Sequence, residues 1–523
     1  MLQVGQMLLT NARNYPGRLA IVNGVRSLTY FELNRESNCV ANGLKRYGVK
    51  KADRVALLLK NGIEWVVAWY ACHKLGAVCV PLHARLRNDE LAGILRAAKA
   101  TTLIFGEDFL PQAMDLKGLY KSLKNLVCVD KTQVRDDGQT ILWSEFQSMP
   151  DYTEAQVAVE NKEPALLLFT SGTTGKPKGV LRSQEMVVLH AITLALRNNS
   201  PFEWDVMMST APLYHIGGLQ GMIKMHVVGS TFITLNGIVP EEILKKIQEY
   251  RVTQLQMLPP VTYERVYRYD KWKDYDLSSV WEVCISAGKC TKEYTDHVFE
   301  MFPGCHLRPS WGSTESCSVT CMQLTKEELD QDPGLINAVG TVMPLTEIRI
   351  VDKNGEDVFP GDAGEAWVRS PMVFTGYLRN RRTTGEVLTE DGWFKTGDIM
   401  RQDPESGYYY FMDRKKDVIK TGGENVFALE IERVIQKHPD VQECAVVGVA
   451  DLRFGEAIAA AIVVKPNHTL TAESLLAFCR KKLPSFKKPR YMALMDKLPV
   501  NSVGKVQKAV LRKKAEELFK PIV

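Results

Sequence analysis

The sequence predicts an α/β fold with a large N-terminal domain of parallel-type αβ sheets, a β-rich subdomain, and a small α+β domain towards the C-terminal end. Three observations predict it. From Asp53 to about Cys321 continuous apolar runs alternate with apolar positions at helical spacing. Between Asn337 and Val373 the runs shorten and glycines interrupt them, and from Asp417 the helix and strand patterns begin afresh. With 523 residues, 45% of them hydrophobic, the chain needs more than one core, because single cores stop growing at about 250 to 300 residues.

In chain order, Val55 to Leu59 is the first buried strand, and Ile63, Val66, Val67, Tyr70 and Ala71 mark the helix after it. Ala77 to Leu82 is a second strand. Asn88 and Asp89 are good capping residues for a helix whose apolar stripe is Leu91, Ile94, Leu95 and Ala98, and Thr101 to Phe105 is a third strand. The result is βαβαβ, whose crossovers make neighbouring strands parallel. The β-rich subdomain spans about 325–413, with Gly340, Gly355, Gly361 and Gly364 punctuating it and Ile348 to Val351 and Glu365 to Val368 as its clearest strands. In the last domain, 417–523, Ile431, Val434 and Ile435 mark a helix, Cys444 to Val449 and Ile458 to Val464 two strands, and Leu475, Phe478 and Leu483 a helix after Thr471.

Lys and Arg number 66 against 61 Asp and Glu, a net charge of +5 with the signs interspersed, which gives no footprint for nucleic acid. The 11 cysteines are odd in number and scattered, and Cys317 and Cys321 lack the CxxC spacing of a zinc or dithiol site. A reducing, cytoplasmic setting follows. Asn11, Arg13, Asn14 and Arg18 stand where a signal peptide needs its apolar stretch, and no apolar run nears the ~20 residues of a membrane span.

The most informative stretch is Thr170-Ser171-Gly172-Thr173-Thr174-Gly175-Lys176-Pro177-Lys178-Gly179, directly after the apolar run Ala165 to Phe169. Small hydroxyl residues, glycines and two lysines after a buried strand suit a loop that brings N–H groups, hydroxyls and positive charge against phosphate oxygens. It is not a Walker loop: Gly172 and Gly175-Lys176 are too close, and Pro177 stands where the Mg-binding hydroxyl would be. Proline also biases Lys176 away from helical angles, so the phosphates are not seated on a helix N-terminus.

This run resembles the phosphate loop of the adenylate-forming superfamily, and more specifically its acyl- and aryl-CoA ligase branch. Four further segments resemble family motifs, in family order: Ser310-Trp311-Gly312-Ser313-Thr314-Glu315, Thr396-Gly397-Asp398, Asp413-Arg414-Lys415-Lys416-Asp417, and Asn501 to Lys505. The resemblance covers nearly the whole chain, from Leu28-Thr29-Tyr30 to Lys505. It implies an N-terminal adenylation domain, 1–413, hinged at 414–416, with Lys416 as the hinge residue, to a mobile C-terminal domain.

What the resemblance implies about the site fits the chemistry of adenylation, in which a carboxylate attacks the α-phosphorus of ATP and pyrophosphate leaves. Nucleotide contacts fall to the residues from Thr170 to Lys176 and Lys178, to Ala287 and Gly288, and to Ser310, Trp311 and Gly312. Glu315 is the ligand for Mg2+, with Thr314 on the phosphate. Asp398 accepts from the ribose diol and Arg414 reaches the same sugar. Lys505 bridges acid and α-phosphate and is brought in by closure of the mobile domain. Lys420, Gly422, Gly423 and Glu424 line the path of coenzyme A.

Coenzyme A is favoured as acceptor on three grounds. No Gly-Gly-x-Ser stretch or carrier domain follows Lys505. Tyr214-His215 stands where amino-acid-activating relatives usually place an Asp, and Tyr-His is similar to the pairing in CoA ligases. The acid pocket is assigned to Tyr214, His215, Gly218, Lys289 and Ser313, beside Ser286 and Trp311, and suits an acyl chain or an aromatic ring. Trp311 replaces the family's usual tyrosine, and Ala287-Gly288-Lys289-Cys290 departs from its Gly-Ala-Pro-Leu type of segment, which leaves the acid open among fatty, crotonobetaine-type and aromatic acids. Lys289 either meets a second polar group on the substrate or points to water. The basic run Arg480, Lys481, Lys482, Lys487, Lys488 and Arg490 reads as a solvated face ahead of a steering surface for CoA phosphates. The partners are therefore ATP, Mg2+, CoA and a small acid, with room for a homodimer. Two rival readings stand beside this one: an acyl-AMP ligase that loads a separate carrier protein, and a catalytically silent nucleotide-binding scaffold.

Overall fold

The computed structural model describes residues 2–129, 140–170, 177–197, 204–257, 261–286, 290–500 and 506–522. The first predicted βαβαβ run is present as the strand Arg54–Leu58, the helix Ile63–Lys74, the strand Val78–Pro81, the helix Asn88–Ala98 and the strand Thr102–Gly106. All three strands are parallel neighbours. Asn88 is the first helical residue and not the cap. The Glu90 carboxylate accepts the Arg87 N–H at 3.0 Å, so the helix is closed from its third position.

The chain divides into two compact units, one of residues 1–347 and 368–394, the other of residues 348–367 and 395–523. In the first unit, one seven-stranded sheet runs in the order Thr140–Leu142, Asn125–Val129, Thr102–Gly106, Arg54–Leu58, Val78–Pro81, Pro164–Thr170, Lys178–Ser183. Successive residues of a strand point to opposite faces. Val55 and Leu57 therefore join one core with the tryptophans Trp65 and Trp69, while Ala56 and Leu58 join another with Leu91, Ile94 and Leu95. Burial of both faces is why the strands read as continuous apolar runs rather than alternating ones. A second seven-stranded sheet has the order His306–Arg308, Glu282–Cys284, Gln254–Gln256, Val206–Ser209, Thr231–Thr234, Leu19–Asn23, Arg26–Thr29, parallel except for the final hairpin. The antiparallel strands Ser310–Ser313, Cys317–Cys321 and Ala338–Val342 complete the unit's sheet structure.

A charged network lies buried in the second sheet. Arg308 Nε is 2.8 Å from Glu282 Oε1, Lys224 Nζ is 3.9 Å from the same oxygen, and Gln323 donates to Oε2 at 3.3 Å. Burial pulls the Lys224 ammonium from its ordinary 10.5 down to about 8, with Glu282 opposing the shift. Between those two values the unfolded chain keeps a proton that the folded chain has released, so this group makes stability rise with pH across that window. The calorimetric midpoint of the wild type, minus that of Lys224→Met at the same pH, should grow from pH ~8 to ~10; a flat difference would contradict the shift.

In the second unit the strands Tyr409–Arg414, Phe394–Gln402, Ala363–Arg369 and Glu347–Val351 lie side by side in that order. The remaining sheet is built on the long antiparallel pair Val441–Asp451 and Gly455–Val464, covered by the helices Ala428–Ile435 and Ala472–Arg480. Thr471 caps the latter by accepting the Ser474 N–H at 3.1 Å. Leu483, expected in that helix, lies beyond its end yet still packs in the same core. Apolar spacing reports the face that is buried, not where the helix stops.

Candidate active site

Ser171 to Lys176, Ala287 to Lys289 and Asn501 to Lys505 lie outside the described residues. The residues flanking the first of these segments are informative. Thr170 ends the strand Pro164–Thr170 and sits directly opposite Lys178 in an antiparallel pair. Strand follows strand here, where a Walker loop is followed by a helix.

Lys178 faces Tyr377, from a distant part of the first unit, and Tyr377 in turn reaches Glu315. The Lys178 Nζ stands 5.0 Å from the centroid of the Tyr377 ring, and Tyr377 Oη donates to Glu315 Oε1 at 2.9 Å. Burial and the neighbouring carboxylate push the Tyr377 phenol up, so it keeps its proton and acts as donor. Glu315 sits with Thr314 and Ser316 in the three-residue connection between the strands Ser310–Ser313 and Cys317–Cys321. That connection is closed by Ser313 Oγ, which accepts the Ser316 N–H at 3.1 Å. Buried Arg182 underpins it, donating to the Thr314 carbonyl at 3.4 Å and to the Met372 carbonyl at 2.9 Å. Gly312 is required by close approach: a Cβ there would fall on the Cys317 carbonyl. Trp311 is buried, and Ser310 Oγ shares a hydrogen bond of 2.6 Å with Ser286 Oγ.

Tyr214 and His215 lie at the entrance of the helix Ile216–Val227, with His215 as its N-terminal flanking residue. Asn61 holds this entrance: its side-chain amide donates to the Ala211 carbonyl at 3.0 Å and accepts the Leu213 N–H at 2.9 Å. At Gly218 the place of a Cβ is taken by the Pro212 and Ala211 carbonyls, so this glycine lets the helix pack against its own lead-in. A third ring joins the pair. His83 lies 4.6 Å from the Tyr214 ring and 5.3 Å from that of His215, the latter edge-on at 90°. Burial, then the Arg85 charge, lowers the His83 imidazole below its ordinary value, and its Nδ1 accepts the Arg85 N–H at 3.1 Å. Sequence reading missed His83 and Asn61, because a single histidine or asparagine after an apolar strand carries no periodic signal.

In the second unit Asp398 and Arg414 occupy opposite positions of an antiparallel pair, and Arg414 Nε lies 2.7 Å from the Oδ1 of buried Asp398. Glu365 braces both motifs: it accepts the Gly397 N–H at 3.2 Å and pairs with Lys415 at 2.9 Å. Asp413 accepts the Leu429 N–H at 3.0 Å in the first turn of the helix Ala428–Ile435. Lys416 is exposed within the short turn Lys415–Asp417. Thr421 and Glu424 flank a tight hairpin turn formed by Gly422 and Gly423, at φ +60° and +87°, and Lys420 stands opposite Asn425 one step further out. Positive φ at both central residues is what such a turn needs, which accounts for the Gly-Gly pair. Beside it, Gly422 N–H donates to the Phe454 carbonyl at 2.9 Å, and Arg490 and Arg453 lie 4.0 and 5.1 Å from the Phe454 ring centroid. Phe454 was also missed by sequence reading, since an aromatic in a loop looks like any exposed turn residue.

The family model for AMP-binding enzymes matches residues 8–378, and that for the AMP-binding enzyme C-terminal domain matches residues 430–505. The chain belongs to the AMP-binding enzyme family, in the acyl- and aryl-CoA ligase branch of the adenylate-forming superfamily, and is an acid–thiol ligase. It is 32% identical to the medium-chain fatty-acid–CoA ligase of Escherichia coli (strain K12), over 96% of this chain and 88% of that one. It is 31% identical to the indoleacetate–CoA ligase of Aromatoleum aromaticum, over 95% of each chain. The crystal structure of the anthranilate CoA ligase AuaEII in complex with anthranoyl-AMP superposes with a TM-score of 0.88 at 25% identity, covering 98% of this chain and 97% of that one. Among the described residues no helix is long and apolar enough to cross a membrane.

Proposed function

We propose that the chain joins a carboxylic acid to coenzyme A in two steps, first forming an acyl-adenylate with release of pyrophosphate, then transferring the acyl group to the CoA thiol with release of AMP. The observation that carries the reading is Tyr377, whose ring lies under Lys178 and whose hydroxyl donates to Glu315. One cation and one carboxylate joined through one tyrosine, with Lys178 following in sequence a run rich in glycine and hydroxyl residues, suit a metal-bound polyphosphate. Mg2+ would be held by one carboxylate and the ATP phosphates, with Glu315 as the protein ligand. When bound, the ion supplies charge neutralisation at the phosphates.

The chain's own residues do the rest. Lys178 and the 170–176 loop bind the phosphates, and Lys505 balances the charge that develops between the acid oxygen and the α-phosphorus. Asp398, oriented by Arg414, accepts from the ribose hydroxyls. His83, Tyr214 and His215 form a wall of rings for the acid, which favours flat aromatic or α,β-unsaturated acids over saturated chains. In the second step the 420–424 hairpin lies along the CoA path, with Arg453 and Arg490, both stacked over Phe454, for the CoA phosphates. The hinge is assigned to 414–416, between the domains 1–413 and 417–523.

The test follows AMP and pyrophosphate release over a panel of fatty, crotonobetaine-type and aromatic acids, with and without CoA. CoA-dependent AMP release with one acid class supports the reading and names the substrate. Pyrophosphate release without thioester formation turns the acceptor towards a carrier protein, and silence over the whole panel overturns the enzymatic reading. In the same assay Asp398→Asn should raise the KM for ATP about tenfold or more, since hydrogen bonds to a charged group are worth about 1.5 to 3 kcal/mol. Discrimination against 2′-deoxy-ATP should shrink with it, while the KM for the acid stays put.

A further inference from the structure

The Glu315 carboxylate takes its hydrogen bond from outside its own hairpin. The segment Phe374 to Leu378 is laced by its backbone to two places at once: Phe374 N–H donates to the Glu315 carbonyl at 2.8 Å, and Leu378 N–H donates to the Gly179 carbonyl at 2.8 Å. Val180 and Tyr377 form an antiparallel bridge. This short segment therefore ties the turn that carries Glu315 to the strand that carries Lys178. Tyr377 repeats the connection with its side chain, Oη on Glu315 Oε1 and ring under Lys178 Nζ.

The ring is itself fixed. Tyr377 N–H donates to Thr384 Oγ1 at 2.9 Å, and that hydroxyl donates to the Asn380 carbonyl at 2.8 Å. Gly376, at φ +139°, leaves the space of a Cβ to the Thr384 side chain, and Phe374 packs edge-on against the ring at 4.9 Å. Nothing in the hairpin itself needs the tyrosine hydroxyl. The Ser313–Ser316 bond closes the connection, and the Phe374 N–H holds the Glu315 backbone.

We propose that Tyr377 is a positioning residue for nucleotide and metal binding: it fixes one oxygen of Glu315, turns the other to the cation, and keeps the Lys178 ammonium on the same side. The proposal rests on the reading of Glu315 as the cation's ligand. An outer partner of this kind lowers the freedom of a ligating carboxylate before the ion arrives, and its loss typically costs 10- to 100-fold in metal affinity. Tyr377→Phe removes the hydroxyl alone and leaves the ring under Lys178.

The experiment measures Mn2+ binding to the ATP-bound protein by water-proton relaxation, together with the Mg2+ dependence of pyrophosphate release, for wild type, Tyr377→Phe and Glu315→Gln. Tyr377→Phe should weaken Mn2+ binding about tenfold and raise the half-saturating Mg2+ by a similar factor, with the KM for the acid within about twofold and the melting temperature lowered by no more than about 10 °C. Tyr377→Leu, which also removes the ring, should add a rise in the KM for ATP as Lys178 loses its support. If Glu315→Gln binds Mn2+ as wild type does, the reading of Glu315 fails and the proposal with it. If Glu315→Gln is impaired while Tyr377→Phe and Tyr377→Leu bind Mn2+ normally, the positioning role is overturned and the reading of Glu315 stands.

Discussion

If Lys505 has the proposed role, its replacement by alanine should slow acyl-adenylate formation by about a hundred- to a thousandfold, the loss typical of removing one group that stabilises developing charge. The physical reason is local. The attacking carboxylate and the α-phosphate are both negative, and they approach each other only where a cation offsets the repulsion. The thioester step starts from a neutral acyl carbon and a thiol, and needs no such offset. Transfer from a supplied acyl-adenylate to CoA should therefore stay within a few-fold of wild type. Rapid-quench measurement of pyrophosphate release, set beside thioester formation from synthetic adenylate, separates the two. Equal loss in both would reassign Lys505 to general binding, and no loss in either would remove it from the site.

Gly312→Ala should cost at least about 3 kcal/mol of stability, the upper end of overpacking costs, and abolish adenylation in whatever fraction remains folded. The methyl group would fall on the Cys317 carbonyl, across a pair of strands whose register already slips between Trp311 and Gly312. Cys317 cannot retreat easily. It holds a left-handed φ of +59°, a conformation that costs a side-chain-bearing residue of order 1 to 3 kcal/mol and persists only where its surroundings enforce it. Any shift that admits the methyl moves Thr314 and Glu315, which ride on the same connection. Calorimetry and the pyrophosphate assay check the two halves. Wild-type stability in the variant would mean that the strands can separate there without cost.

Much of the candidate site was legible because its motifs are local in sequence. A Gly/Thr/Lys run after an apolar strand, or a Gly-Gly between two short strands, declares its backbone demands within a few residues. His83, Asn61, Tyr377, Glu365 and Phe454 were not legible, for a common reason. Each acts on a residue far along the chain: Asn61 on Leu213, Tyr377 on Glu315, Glu365 on Lys415. Neither hydrophobic period nor motif spacing reports a contact of that kind.

The sequence by itself determined the alternation that makes parallel sheets, the buried strands whose apolar residues face two cores, and the kinds of chemical group available for adenylation. Those follow from local propensity and from the need to bury apolar surface, which a linear pattern records. Only the tertiary structure decided which groups meet: that Thr170 and Lys178 stand opposite each other, that Asp398 and Arg414 share one pair of strands, and that a tyrosine from residue 377 holds the carboxylate at 315. Hydrogen bonds and ion pairs act over about 3 Å and depend on direction, so they are set by how distant segments pack, and packing is a property of the folded chain.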